Sequence, residues 1–332
     1  MGEKQKVKQS GNGRCITKAH GSYAALLCIL IENCLLAKAV DEMKQRDFWA
    51  NAVMFSPGFI IYICFLLVPI ILCFYYSFFD WNGIDPKYHF VGMKNYIEAI
   101  QDKPYLHAIG VTLFMTIVST FFVNLFGIFF AVMLNKKGRM TNFYRSVFFF
   151  PLLISSIAVG FIWKSILSYN GLLNNLFVHF GWERVEFFGD PKLAVLTVTF
   201  LAIWQSTGFV IVIYLAGLQT IPGELFDAAN IDGASRWQQF RKVTFPLLAP
   251  AFTTSIVFNF TGMMREYDRV AVLTYGGPAG ASETIAYQVV KVGFSANRLS
   301  YASSLAVYML IIVGILAVTL TIQLRKREER IV

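Results

Sequence analysis

Residues 104–135 pass thirty-two positions without a single Asp, Glu, Lys or Arg. A helix needs about 20 apolar residues to cross the hydrocarbon core of a bilayer. Only helices and closed barrels keep every backbone amide bonded there. Five more stretches are equally free of those four residue types: 49–79, 146–163, 193–223, 243–264 and 299–324. The pattern predicts an all-α membrane protein with six transmembrane helices, both termini on the same side. Composition agrees, with 56% hydrophobic and 15% charged residues and a mean hydropathy of +0.55. Soluble domains carry about 25% charged residues, which argues against a water-soluble enzyme.

The net charge of +9 is read as loop charge rather than a nucleic-acid surface, because Lys and Arg accumulate in cytoplasmic loops. Lys44 and Arg46 precede the first span. Lys136, Lys137, Arg139 and Arg145 follow the second, Arg236, Arg241 and Lys242 lie in the 219–250 loop, and Arg325, Lys326, Arg327 and Arg330 follow the sixth. These thirteen face nine cations dispersed over longer loops on the other side, so the denser side, with both termini, is expected in the cytoplasm. Lys164, closing the short third stretch, is expected to snorkel toward headgroups. Pro57 and Pro69 predict a kink in the first span, either tolerated by neighbouring helices or used as a hinge.

Three parts are expected: an N-terminal extension 1–42, a first span with its extracytoplasmic loop 43–106, and a core 107–328 holding spans two to six. In the extension, residues 19–31 are uncharged, but Glu32 and Lys38 break the apolar run beyond them. A crossing there would force Lys4, Lys6, Lys8, Arg14 and Lys18 outside, against the positive-inside rule. A signal peptide fits the basic-then-apolar order but lacks a small-residue cleavage site. The expectation is that the native chain starts near Met43. The five cysteines form no CxxC pair and the four histidines lie far apart, so no metal site is expected.

The 219–250 loop carries the most local information. Pro222 suits a helix start, and Glu224 and Asp227 sit where the helix dipole favours acids. Gly233 offers a stop. Ser235 with Gln238 forms a capping box that opens a second helix, and Pro246 and Pro250 mark the return to the membrane. Ala228 and Ala229 give the first helix a small-side-chain surface that another protein can approach closely. Asp227-Ala228-Ala229, three residues, Gly233, nine residues and Val243-Thr244-Phe245-Pro246 resemble the EAA loop of ATP-binding-cassette importer permeases. The departures are Asp for Glu at 227, Val for Ile at 243 and Phe for Leu at 245.

The resemblance extends over about residues 44–328. Phe79-Asp80-Trp81, Leu273-Thr274-Tyr275-Gly276-Gly277-Pro278 with Ser282-Glu283-Thr284, and Tyr301-Ala302-Ser303-Ser304 look like the sugar-permease subclass, specifically the maltose-type first permease. The resemblance implies a type I permease bundle in a bacterial cell membrane, importing a sugar of oligosaccharide size. It implies a second homologous permease, a cytoplasmic ATPase dimer and an extracellular solute-binding protein as partners. It implies contact with the ATPase through Glu224, Asp227, Ala228, Ala229, Gly233 and Pro246. The chain contains no Gly-Lys dipeptide and so lacks a P-loop lysine; the ATP and Mg would be used by the partner, and no catalysis by this chain is expected.

A sugar site inside a membrane combines stacking aromatics with hydrogen-bonding groups on bundle-facing positions. The candidates are Asn124, Trp163, Trp204, Gln205 and Asn259. Helix packing and interfacial placement are the competing reading for each. Gly276, Gly277 and Pro278 predict an outer turn, either a plain loop or a contact for the binding protein. Arg265, Glu266, Asp268 and Arg269 read as a solvated helix end, with internal pairing at neighbour spacing as the alternative. A glycerol-phosphate or polyol importer shares much of the pattern, but a phosphorylated ligand would call for intramembrane cations. An ion-coupled secondary transporter usually buries acids at midplane, and the six span cores hold none. A membrane-embedded enzyme finds no supporting constellation.

Overall fold

The computed structural model describes residues 51–135 and 138–330. The 1–42 extension, Lys44, Arg46, Lys136 and Lys137 lie outside the described residues. The described chain is almost wholly helical, and its strands are the short antiparallel pair β1 (Phe79–Asp80) and β2 (His89–Phe90), with Phe79 opposite Phe90.

The chain divides into two units, the first ending at Pro69 and the second beginning at Ile70. Helix α1 (Asn51–Tyr76) is the first candidate span, and none of its apolar window is buried. Its turn Ile63–Leu67 is a π-helix, directly ahead of Pro69. Proline has no N–H to bond back into the preceding turn, and a single wide turn absorbs the defect. Pro57 lies in continuous helix.

In the second unit come α2 (Lys94–Gln101), α3 (Lys103–Leu134), α4 (Arg139–Leu153), α5 (Ser156–Leu167), α6 (Leu172–His179) and α7 (Pro191–Gln219). Next along the chain are α8 (Gly223–Ile231), α9 (Arg236–Leu247), α10 (Ala249–Met263), α11 (Asp268–Leu273), α12 (Ile285–Val290) and α13 (Leu299–Glu328). Helices α1, α3, α7 and α13 are each long and apolar enough to cross a membrane unbroken. The third and fifth expected spans are bent pairs instead: Arg139–Leu153 meets Ser156–His179 at 97°, and α9 meets α10 at 65°.

Sequence explains both bends. Pro151 lies inside α4, where its ring clashes with the preceding turn. The Ser155 hydroxyl then accepts from the Ala158 amide at 3.2 Å and starts α5 afresh. The uncharged run 146–163 therefore straddles a corner. At the second bend Pro246 and Pro250 flank Leu248, the junction of α9 and α10.

Helices α3 and α7 form the centre. Val123, Ala131 and Leu134 of α3 pack with Val210, Ile211, Tyr214, Leu215 and Leu218 of α7. A second cluster joins Met115 of α3 to Val198 and Leu201 of α7, Met263 of α10, and Val270 and Leu273 of α11. Small residues set the spacing, as expected where lipid supplies no hydrophobic drive between helices. A Cβ on Gly208 would run into the Phe148 carbonyl oxygen, so α4 and α7 touch backbone to backbone there. A third cluster ties α2 and α12 to α13 through Ala99, Ile285, Tyr301 and Leu305.

Candidate functional site

The loop between α7 and α10 forms as its residue types dictate. Pro222 takes the N-cap position of α8, one residue ahead of the first turn, and Glu224 occupies that turn. Gly233 sits at φ +71°, the left-handed region that only glycine enters without strain. Its amide donates to Asn230 O at 3.0 Å, and the next amide, Ala234, donates to Ala229 O at 2.9 Å. This is the double closure of a Schellman motif. Ser235 and Gln238 complete the capping box of α9, and Gln239 Nε2 reaches back to Asn230 Oδ1 at 2.6 Å. Two short helices are thereby locked at a fixed angle.

This rigid corner is largely exposed. No side chain of α8 is fully buried, though Phe226 packs partly against the α3–α7 core. Asp227 and Ala228 are exposed, Ala229 half-buried, and Ile231 stands 87% exposed at the tip. Asp227 forms no ion pair among the described residues. A hollow of about 370 Å³ opens between the helices, lined by Ala229, Gly233, Gln238 and Lys242 among others. Pro246 lies farther along, half-buried in α9.

The five interior candidates separate into three groups. Asn124 is buried and engaged at both amide atoms: its Oδ1 accepts from Tyr214 Oη and Ser255 Oγ, both at 2.7 Å, and its Nδ2 donates to Thr120 O at 2.7 Å. Thr120 Oγ1 in turn donates to Asn259 Oδ1 at 3.2 Å. Asn124 and Asn259 thus belong to one network joining α3, α7 and α10, while Asn259 Nδ2 makes no hydrogen bond among the described residues. Trp163 and Trp204 form an edge-to-face pair, centroids 5.5 Å apart. Trp204 also borders an apolar cavity of about 830 Å³ between α3, α4 and α7.

Gln205 turns the other way. Its Nε2 donates to Pro151 O at 3.2 Å and Ile154 O at 2.9 Å, carbonyls left without helical partners where α4 ends. Its Oε1 accepts from Arg269 Nε and Nη2 at 3.2 and 2.8 Å. Arg269 is also ion-paired with Glu266. The expected solvated helix end is corrected here: Glu266 and Arg269 are buried, at 7% and 8% exposure, while Arg265 and Asp268 stay outside. The spacing of three residues was the visible signal for the pair; the reach to Gln205, sixty-four positions away, had none.

Lys164 is likewise committed to the protein instead of snorkelling. Its Nζ donates to Val272 O at 2.9 Å and lies 4.1 Å from the Tyr275 ring centroid. The 273–284 motif is a braced turn. Ser282 Oγ bonds Thr274 Oγ1 at 2.8 Å and Gly277 O at 2.7 Å, Glu283 receives Lys291 Nζ at 2.5 Å, and Thr284 Oγ1 donates to Glu266 O at 2.6 Å. Among the described residues no group of His, Cys, Asp and Glu is placed to hold a metal ion.

Residues 123–327 match the family of binding-protein-dependent transport system inner membrane components. The chain belongs to that family. It is a multi-pass inner-membrane transport subunit, and its members are permeases rather than enzymes. Its relatives include the "Probable starch degradation products transport system permease protein AmyD" of Thermoanaerobacterium thermosulfurigenes, 32% identical over 86% of this chain and 98% of that one. The multiple sugar-binding transport system permease MsmF of Streptococcus mutans is 31% identical over 86% and 97%. The trehalose/maltose transport system permease MalF of Thermococcus litoralis is 29% identical over 74% and 83%. A crystal structure of a bacterial ABC transporter that imports alginate superposes with a TM-score of 0.75 at 22% identity, covering 85% of this chain and 96% of that one. This likeness establishes the type I ABC-importer permease fold.

Proposed function

We propose that this permease is the first of two non-identical membrane subunits in an ATP-driven importer for a neutral sugar of oligosaccharide size, and that α8 is its coupling helix. The carrying observation is the rigid, unburied corner α8–α9. Apart from Phe226, which packs against the α3–α7 core, α8 leaves its side chains largely outside its own protein, and a helix this short is held in a working assembly by packing against a partner. In this reading the partner is a cytoplasmic ATPase dimer that hydrolyses ATP with Mg and grips Glu224, Asp227, Ala228, Ala229, Gly233 and the Pro246 hinge. Both termini are then cytoplasmic, and an extracellular binding protein delivers the sugar. The ligand assignment draws on the sugar-transport names of the relatives. It also draws on Lys164 and Arg269 both being engaged inside the protein, which leaves neither for a phosphate group. Substrate coupling to the ATPases is reciprocal, because arrival of one must bias the other by the same free energy.

Co-purification from the native membrane tests the reading. The chain should bring down a second permease and an ATPase, and the complex should import a labelled neutral oligosaccharide in preference to glycerol phosphate. A chain isolated without an ATPase, or preferential uptake of the phosphate ester, would contradict it.

A further inference from the structure

The outer face of α9 carries a chemistry that the coupling role does not use. Residues 233–247 contain no Asp or Glu but hold Arg236, Arg241 and Lys242. Lys242 borders the hollow against α8, together with Asp232. Arg236 and Arg241 are exposed elsewhere on the helix and make no ion pair among the described residues. Between them Trp237 is 68% exposed, stacked on Phe240 with ring centroids 5.6 Å apart. The row continues through Phe245 at 6.1 Å and Phe252 at 6.0 Å into α10. Aromatic rings flanked by cations are what the headgroup layer favours.

Geometry agrees. Helix α9 meets α10 at 65°. Membrane spans tilt by about 20° on average, so α9 runs closer to the membrane plane than to its normal. The end of α13, with Arg325, Lys326 and Arg327 ahead of Glu328, lies alongside, since Leu324, Arg327 and Glu328 share a small cleft with Phe245 and Phe252.

We propose that α9 lies in the headgroup layer of the cytoplasmic leaflet, where Arg236 and Arg241 bind anionic phospholipid headgroups and Trp237 and Phe240 wedge beside them. The proposal rests on the cytoplasmic placement of the 219–250 loop. Its consequence is that the α8–α9 corner is braced against the membrane surface on one side while the ATPase grips the other.

The test uses the full chain in phosphatidylcholine vesicles with or without phosphatidylglycerol. The fluorescence of Trp237 is taken as the difference between the wild type and Trp237→Phe. It should be quenched by lipids brominated near the headgroup and little by those brominated near the chain end. In native mass spectrometry Arg236→Gln and Arg241→Gln should each lower phosphatidylglycerol retention about fivefold, with phosphatidylcholine retention unchanged. A Trp237 signal blind to brominated lipid overturns the proposal. So does one that only an added ATPase shifts, which would assign this face to the ATPase. Equal displacement of phosphatidylglycerol by inorganic phosphate also overturns it, leaving a simple anion site. If cross-linking from Ala229 to the ATPase persists while quenching fails, the lipid claim alone falls; if both fail, the cytoplasmic placement falls with it.

Discussion

Arg269 clasps Gln205 with two donors, Nε at 3.2 Å and Nη2 at 2.8 Å from Oε1, while the amide of Gln205 closes the open carbonyls of Pro151 and Ile154. One buried ion pair, between Glu266 ahead of α11 and Arg269 in its first turn, is therefore wired to the corner in the third span. Removing one partner of a buried pair costs about 3–5 kcal/mol, because the other charge is left uncompensated. Arg269→Ala should lower the thermal stability of the detergent-solubilised chain by that order. Glu266→Ala combined with Arg269→Ala should cost clearly less than the two single losses added. Simple additivity in this double-mutant cycle would show that the pair does not act as a unit.

Gln205→Leu removes the cap on Pro151 O and Ile154 O and leaves Arg269 with fewer acceptors. An unsatisfied buried polar group costs about 1–3 kcal/mol, and a loss in that range is expected from denaturant or thermal unfolding. Gln205→Glu, which keeps two acceptor oxygens for Arg269 but loses the donors to the corner, should fall between Leu and the wild type.

Gly233 has open space around it, so a side chain there meets no neighbour and the cost is conformational. A β-branched residue at φ +71° is a backbone outlier. Gly233→Val should abolish uptake while membrane abundance stays near wild type, measured by transport assay and immunoblot. Gly208→Val makes the complementary case. Its side chain would strike the Phe148 carbonyl, and overpacking of about 1–3 kcal/mol should lower abundance and uptake together.

Asn124 and Asn259 should behave differently although one threonine connects them. Both amide atoms of Asn124 are engaged, so Asn124→Leu, which loses the two interhelical bonds from Tyr214 and Ser255, is expected to lower stability by about 1–2 kcal/mol at the modest worth measured inside membranes. Asn259 retains an unengaged Nδ2. Asn259→Ala should raise the KM for uptake with little change in melting temperature.

Much of this was legible in the residue pattern. The absence of charge over 104–135 and 193–223 marks the two central helices. Ser235, Gln238 and Gly233 announce the corner they build, because capping chemistry is local. The bends were hidden. The run 146–163 has the composition of a straight crossing, and Pro151 is one residue of eighteen. Its effect depends on Ser155 restarting the helix and on Gln205 arriving from another helix to close the carbonyls. The burial of Arg269 was hidden for the same reason: a charge reads as solvated until a distant partner is in place. For the interior candidates, type alone could not separate Asn124, engaged at both amide atoms, from Asn259, engaged only at its oxygen.

The central claim is that the α8–α9 corner is held by an ATPase in the cytoplasm. A chain with its five native cysteines replaced and Ala229→Cys introduced puts one thiol on that corner, to be probed in native membranes with a short bifunctional maleimide and with an impermeant one. The account predicts an adduct with the ATPase subunit and no labelling from outside the cell. Labelling of the thiol from outside, or a cross-linking pattern that never includes an ATPase, would contradict it.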